Sequence, residues 1–154
     1  MSVFLSTWYE GLYPVATDSP FDHAFWLDIM AIRTEVSKEL EKCRTRGEIG
    51  ASLNAEIELY CSTEKYALLT LIASELHFVF ITSKVSLFTE QHCPENALST
   101  EIEGIHIKVN ASTHSKCIRC WHQRDDVGHH DDHPDLCGRC LENIIGTGEV
   151  RLYA

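Results

Sequence analysis

Positive charge is scarce in this 154-residue sequence, which has 13 lysines and arginines against 23 aspartates and glutamates and a formal net charge of −10. This balance argues against a general electrostatic grip on nucleic acid. No stretch is apolar enough to span a bilayer, and the first residues lack the basic and then apolar pattern of a secretory signal. Because seven cysteines occur without such a signal, we expect reduced thiols, a cytoplasmic protein and no membrane partner.

Apolar residues are plentiful, at 44% of the chain, and support a packed core. The segment from Ser19 to Asp22 predicts a helix start, with Ser19 as N-cap, Pro20 at the first position and Asp22 in the first turn. Gly47 is expected to end this helix. The apolar residues that follow at helical spacing are Phe25, Ile29, Ile32, Val36 and Leu40.

The pattern then changes to alternation over residues 52–61, which predicts a half-buried strand. Ser62 or Thr63 can cap a second helix, whose apolar spacing runs from Tyr66 to Phe80. Residues 85–87 and 105–109 read as two further strands. The predicted fold class is therefore α+β, a helix-strand-helix-strand-strand unit over residues 20–114.

Two segments flank this unit. Residues 1–19 read as a connector from an upstream region, and residues 115–154 as a Cys-rich tail. Within the tail, a weak alternation over residues 149–153 is consistent with a short strand.

Four cysteines of the tail occur as two C-x-x-C pairs: Cys117, Cys120, Cys137 and Cys140. Sixteen residues separate the pairs, which is typical of a structural zinc site in a four-cysteine zinc ribbon. Disulfides would need an oxidising compartment, and a redox C-x-x-C usually occurs singly. Four thiolates saturate one Zn²⁺ and leave no open position for catalysis. The intervening histidines could replace a cysteine, although we expect all-cysteine ligation; they are His122, His129, His130 and His133.

Other polar and sulfur-bearing residues suggest no active site, so no catalytic residue is assigned. Cys43 and Cys61 fit apolar faces and are expected to be small buried hydrophobes, whereas Cys93 lies in a loop. His77 and His106 fall on predicted polar faces and are expected to be solvated. Gly138, inside the second pair, should ease the turn and leave backbone N–H groups free to bond sulfur.

The motifs of the tail resemble the C-terminal end of bacterial-type isoleucyl-tRNA synthetases. The matching tail motifs are Cys117-Ile-Arg-Cys-Trp-His122, Asp126-Val-Gly128, His133-Pro, Leu136-Cys-Gly-Arg-Cys140, Asn143 and Gly146-x-Gly-Glu-x-Arg151-x-Tyr-Ala154. Upstream, the matching segments are Phe25-Trp26 through Arg33-x-Glu-Val36, Ile49-Gly-Ala-Ser-Leu53, and Glu75-Leu-x-Phe78 ahead of Thr82-Ser83. The resemblance covers nearly the whole chain and is clearest near its C-terminal end.

This resemblance implies a class I ligase that joins isoleucine to its tRNA with ATP and edits mischarged valine in a separate domain. The sequence has neither a HIGH-type nor a KMSKS-type motif and is too short for those domains. We therefore expect a catalytically silent C-terminal region, with ATP used only by the catalytic domain. It should be monomeric, with one structural Zn²⁺, isoleucine tRNA as partner and no DNA partner.

In that family the tail helps to engage the anticodon end of the tRNA. Trp121 and His122 offer stacking surfaces for unpaired bases. The candidate contacts to phosphates or base edges are Arg119, Arg124, Arg139 and Arg151. Arg119 and Arg139 could also offset the negative charge of a four-thiolate centre. In the alternative interpretation, Trp121 packs over the first cysteine pair and the arginines are only solvated.

Two other functions fit the cysteine spacing. The zinc ribbon of formamidopyrimidine-DNA glycosylases is similar, but a ribbon that binds DNA should be basic. A free-standing zinc module that binds protein or RNA is the other alternative, and a continuous upstream reading frame with the catalytic motifs would exclude it.

Overall fold

The computed structural model describes residues 3–12, 14 and 18–154. Its helices are α1 (His23–Thr45), α2 (Thr63–Thr70), α3 (Leu76–Phe80) and α4 (Gly138–Ile145). Its strands are β1 (Ala55–Cys61), β2 (Lys84–Thr89), β3 (Leu98–Ser99), β4 (Ile105–Ala111), β5 (Ser115–Lys116) and β6 (Gln123–Arg124). Short 3-10 turns occur at Val3–Leu5, Ser52–Asn54, Ala73–Glu75 and Glu90–His92. Among the described residues, no helix combines the length and apolarity needed to cross a membrane.

Strand β1 lies inside a four-stranded sheet of order β2-β1-β4-β3. It runs parallel to β2 and antiparallel to β4, so that Leu59 faces Leu87 on one side and Ile107 on the other. A parallel pair needs a crossover connection, and α2 and α3 supply it. The mixed helix and sheet architecture confirms the predicted α+β class.

Helix α1 buries its apolar stripe in the same core as β1 and β4, as predicted. Its N-cap, however, is Asp22 and not Ser19, so that prediction was wrong. The Asp22 carboxylate accepts a hydrogen bond from the N–H of Phe25 at 2.8 Å, whereas the Ser19 hydroxyl accepts from Phe21 ahead of the helix. After Thr45 the helix ends, and Gly47 adopts the positive φ expected of a residue that follows a helix.

Three other predicted elements are corrected by the structure. The strand predicted from residue 52 begins at Ala55, because residues 52–54 form a 3-10 turn. The second helix does start at Ser62 as N-cap, but it breaks between Leu71 and Glu75 into α2 and α3. Residues 149–153 form no strand, because the last three backbone N–H groups bond a side chain, as described below.

The connector predicted for residues 1–19 lies partly outside the described residues. Of its described part, residues 3–5 form the first 3-10 turn, and Trp8 is 95% exposed.

Residues 115–145, here called the Cys-rich module, contain the β5–β6 hairpin and α4. Their small core is separate from the main one. Ser83 joins the module to the sheet: its buried hydroxyl accepts the N–H of Gln123 at 2.7 Å and donates to the carbonyl of Leu53 at 2.6 Å.

Candidate metal centre

The first cysteine pair sits in the tight turn between β5 and β6. The N–H of Trp121 donates to the carbonyl of Cys117 at 2.9 Å, and the N–H of Cys117 donates to the carbonyl of His122 at 2.9 Å. This turn places Trp121 at φ +68°, in the left-handed region. A bulky residue is rare there, and such a conformation costs about 1–3 kcal/mol.

The second pair begins α4, with Cys137 at the N-cap and Cys140 in the first turn. The N–H of Cys137 points at the sulfur of Cys117 at 3.4 Å. This bond agrees with the expectation that backbone N–H groups near Gly138 are free to bond sulfur, while the N–H of Gly138 itself donates to the Asp126 carboxylate at 2.8 Å. A Cβ at position 138 would lie 3.0 Å from that carboxylate oxygen, which explains the glycine.

The four sulfur atoms converge: all lie within 4.8 Å of one another, and those of Cys120 and Cys137 are 3.7 Å apart. Zn–S bonds of about 2.3 Å in a tetrahedron place sulfurs about 3.8 Å apart, so the spacing fits zinc. Among the described residues, these cysteines form the sole group of three or more His, Cys, Asp or Glu donors within reach of one ion. None of the four nearby histidines belongs to it.

The electrostatics of the sulfurs also favour a cation. Burial would raise the pKa of the Cys117 thiol, but backbone N–H groups, including that of Cys137, lower it to about 6. Burial raises the pKa of Cys120 and Cys137. Four thiolates at this spacing therefore need a metal ion to stay ionised together. The Arg119 guanidinium, 3.6 Å from the sulfur of Cys140, offsets part of the negative charge as expected.

Trp121 stands out from the module into solvent, with 60% of its surface exposed. This exposure leaves much of the ring available for stacking, as the first interpretation requires. The ammonium group of Lys116 lies 5.1 Å from the ring centroid, a cation–π distance. Arg119 of the same turn is also exposed, with its guanidinium near the sulfur of Cys140.

His122, the other candidate for stacking, is half-buried between the module and α3. Its ring lies edge-on to His77 and Phe78, with centroids 5.9 and 6.1 Å apart. His77 is not solvated as expected, and burial, followed by the charge of His122 and nearby arginines, lowers its pKa to about 4. His106 is likewise half-buried.

The other candidate arginines already have partners. Arg124 lies 3.3 Å from the Asp126 carboxylate. Arg139 makes two bonds to Glu149, at 2.6 and 3.0 Å, and Arg151 makes a third at 3.1 Å. The hydrogen bonds between Arg139 and Glu149 raise the pKa of Arg139, and the nearby sulfurs of Cys120 and Cys140 raise it further. The positive charge of Arg139 therefore also offsets part of the negative charge of the cysteine cluster.

Sequence reasoning missed the residues that join the module to the sheet. These are Ser83, Phe78 and Glu75, all within segments that carry the family resemblance. Their roles had no local signal, because each acts on residues at least 40 positions away.

Comparison with known proteins agrees with this geometry. A family model described as a zinc finger found in FPG and IleRS matches residues 115–143. Together with the four-cysteine cluster, this match identifies one structural zinc site. The chain is 51% identical over 152 residues to the isoleucine–tRNA ligase of Methylococcus capsulatus, 48% over 156 residues to that of Alkalilimnicola ehrlichii and 47% over 153 residues to that of Pseudomonas aeruginosa.

Each of these alignments covers 99% of this chain but only 16–17% of the relative. The chain thus spans about a sixth of the length of the curated relatives it matches. Over this length it is similar to the C-terminal region of isoleucine–tRNA ligases.

Proposed function

We propose that this chain acts as the C-terminal, tRNA-binding region of an isoleucine–tRNA ligase, which charges isoleucine tRNA in the cytoplasm. The observation that carries the RNA-binding part is the exposed Trp121 ring, held at φ +68° on the turn that bears Cys117 and Cys120. Structure that maintains a strained, exposed aromatic residue usually does so for function. The similarity of 99% of the chain to part of an isoleucine–tRNA ligase supports tRNA as the class of RNA. ATP and isoleucine would be handled by the catalytic part of the ligase.

The metal gives this surface its shape. We assign Cys117, Cys120, Cys137 and Cys140 as the ligands of one Zn²⁺, which cross-links the β5–β6 turn to the start of α4. A closed four-thiolate centre has no open coordination position, so it contributes rigidity. In this assignment the zinc holds Trp121 in its left-handed conformation.

The proposed contact is stacking of an unpaired base on Trp121, with Lys116 and Arg119 against the neighbouring phosphates. Arg151, which is also exposed, could extend the contact. Because the whole chain carries a net charge of −10, few phosphates would be neutralised and the salt dependence of binding should be shallow. Three further predicted contacts are His122, Arg124 and Arg139. To reach RNA, the His122 ring would have to leave its contact with α3, and the two arginines would have to leave their carboxylate partners.

Binding of isoleucine tRNA and a non-cognate tRNA, measured across a salt series, tests this function. We expect tighter binding of the isoleucine tRNA, and Trp121→Ala should weaken it about 5–100-fold, as the loss of one stacked base does. The matched control is Trp8→Ala, which removes another exposed tryptophan and should leave the affinity unchanged. Equal binding of both tRNAs, or tighter binding of duplex DNA, would contradict the proposal.

A further inference from the structure

Residues 149–154, here called the C-terminal clasp, connect the Cys-rich module back to the α+β unit. At the module end, the Glu149 carboxylate holds Arg139 of α4, and the Glu149 N–H donates to the Asn143 side-chain oxygen at 3.0 Å. The clasp is therefore fixed to α4 by both side-chain and backbone bonds.

At the other end, the Glu75 carboxylate receives three successive backbone N–H groups. Leu152 donates at 2.7 Å, Tyr153 at 2.8 Å and Ala154 at 2.7 Å. Glu75 is 6% exposed, and the Tyr153 ring packs 4.9 Å from that of Phe21. Burial alone would raise the pKa of Glu75, but these donors and the charge of Arg151 lower it overall, so the carboxylate stays ionised at neutral pH.

Between its two ends the clasp lies across Phe78 of α3. The guanidinium carbon of Arg139 is 4.8 Å from the Phe78 ring centroid and that of Arg151 is 3.7 Å away. Glu149 bonds both arginines, so a single carboxylate ties the two cation–π contacts together. One joint thus combines two buried or half-buried carboxylates, two arginines and one aromatic ring.

We propose that Glu75 is a positioning residue for RNA binding: it secures the C-terminal clasp and so fixes the orientation of the Cys-rich module, with its Trp121 surface, on the α+β unit. This inference rests on the proposed RNA-binding function. Apart from the clasp, the described contacts between the module and the α+β unit include the Ser83 hydrogen bond to Gln123 and the edge-on contact of the His122 ring with His77 and Phe78. These contacts lie on the β5–β6 side of the module, whereas the clasp restrains the side that carries α4. If the clasp were open, a tRNA that contacts both units would have to fix their relative orientation on binding, and this entropic cost would weaken the affinity.

Glu75→Gln, made in the full chain, is the first test. The glutamine amide keeps one acceptor oxygen but turns an NH₂ group toward the remaining donors of the clasp, so at least one of the three bonds should be lost and the others should weaken without the carboxylate charge. We expect amide hydrogen exchange at residues 152–154 to accelerate about tenfold or more and tRNA affinity to fall about 3–10-fold. Zinc stoichiometry should remain at one. The matched control is Glu64→Gln, which replaces an exposed carboxylate on α2 and should leave amide exchange, tRNA affinity and zinc stoichiometry unchanged.

Glu149→Gln provides a second variant that opens the other end of the clasp without altering the α+β core. If both carboxylates act through one clasp, their effects should not add. The Glu75→Gln/Glu149→Gln double variant should then have the same tRNA affinity as whichever single variant binds less tightly. A purely structural role would instead give additive losses, with loss of zinc or of the cooperative unfolding transition.

Two results would overturn the inference: unchanged exchange at residues 152–154 in Glu75→Gln, or faster exchange with unchanged tRNA affinity. If the wild-type chain binds no tRNA, the proposed function fails and the positioning role fails with it. In that case the exchange data still decide whether Glu75 secures the clasp.

Discussion

Replacing Cys137 with serine should unfold the Cys-rich module while the sheet and α1 stay folded. The core of the module consists of its three buried cysteines, with half-buried Cys120, Val127 and Leu136 packed against them. Two half-buried aliphatic side chains contribute about 3 kcal/mol together, whereas a structural zinc contributes about 10–16 kcal/mol. The loss of one thiolate ligand should therefore cost more than about 4 kcal/mol and exceed what the rest of the module can offset.

Amide-resolved NMR spectra with one equivalent of zinc measure this effect. In Cys137→Ser, the signals of residues 115–145 should collapse to disordered positions, and those of β1 and β4 should keep their wild-type shifts, because the two cores are separate. Cys93→Ser is the matched control: this half-buried thiol lies in a loop outside the cluster, and its loss should leave the spectrum and zinc content unchanged.

The reasoning would be refuted by a Cys137→Ser spectrum in which residues 115–145 keep their native dispersion without bound zinc. Loss of the signals of the whole chain would also refute it, because the sheet would then depend on the metal.

Three further substitutions test local features. Asp22→Ala should lower the free energy of unfolding by about 1 kcal/mol in urea titrations, whereas Ser19→Ala should be neutral; the reverse order would contradict the observed N-cap. Ser83→Ala should cost about 1–3 kcal/mol, because the N–H of Gln123 loses its acceptor, and a neutral thermal-unfolding result would show that this bond is dispensable. Because His77 has a pKa near 4 in the folded chain against 6.5 when unfolded, stability should be full above pH 6.5 and fall by about 1 kcal/mol from pH 7 to 5, after allowing for solvent screening. His77→Gln should remove that difference, and an unchanged pH profile in the variant would exclude this histidine as its source.

Features encoded by short-range patterns were predictable. The stripe of α1 repeats every three or four residues, so its buried face could be named from the sequence. The spacing of the cysteine pairs is also local, and the structure brings all four sulfurs together. The break between α2 and α3 was missed because apolar spacing continues through Ile72 and Leu76, and burial does not distinguish one helix from two.

Features that depend on distant partners were not predictable. Glu75 and the N–H groups it binds are separated by 77 to 79 positions, and backbone donors carry no residue-specific signal. His77 was expected in solvent because α3 was considered alone, whereas the Cys-rich module covers that side of the helix. The exposure of Trp121 likewise depends on its left-handed backbone, a conformation that glycine would be expected to supply.

The central claim is that zinc holds an RNA-binding surface, and the most direct measurement compares isoleucine tRNA binding by the same protein before and after zinc removal. The zinc-loaded chain should bind at least about tenfold more tightly than the chelated chain, and added zinc should restore the affinity, because in the proposed function zinc fixes the turn that carries the stacking residue Trp121. Equal tRNA affinity for a zinc-free chain whose Cys-rich module is unfolded would contradict the account.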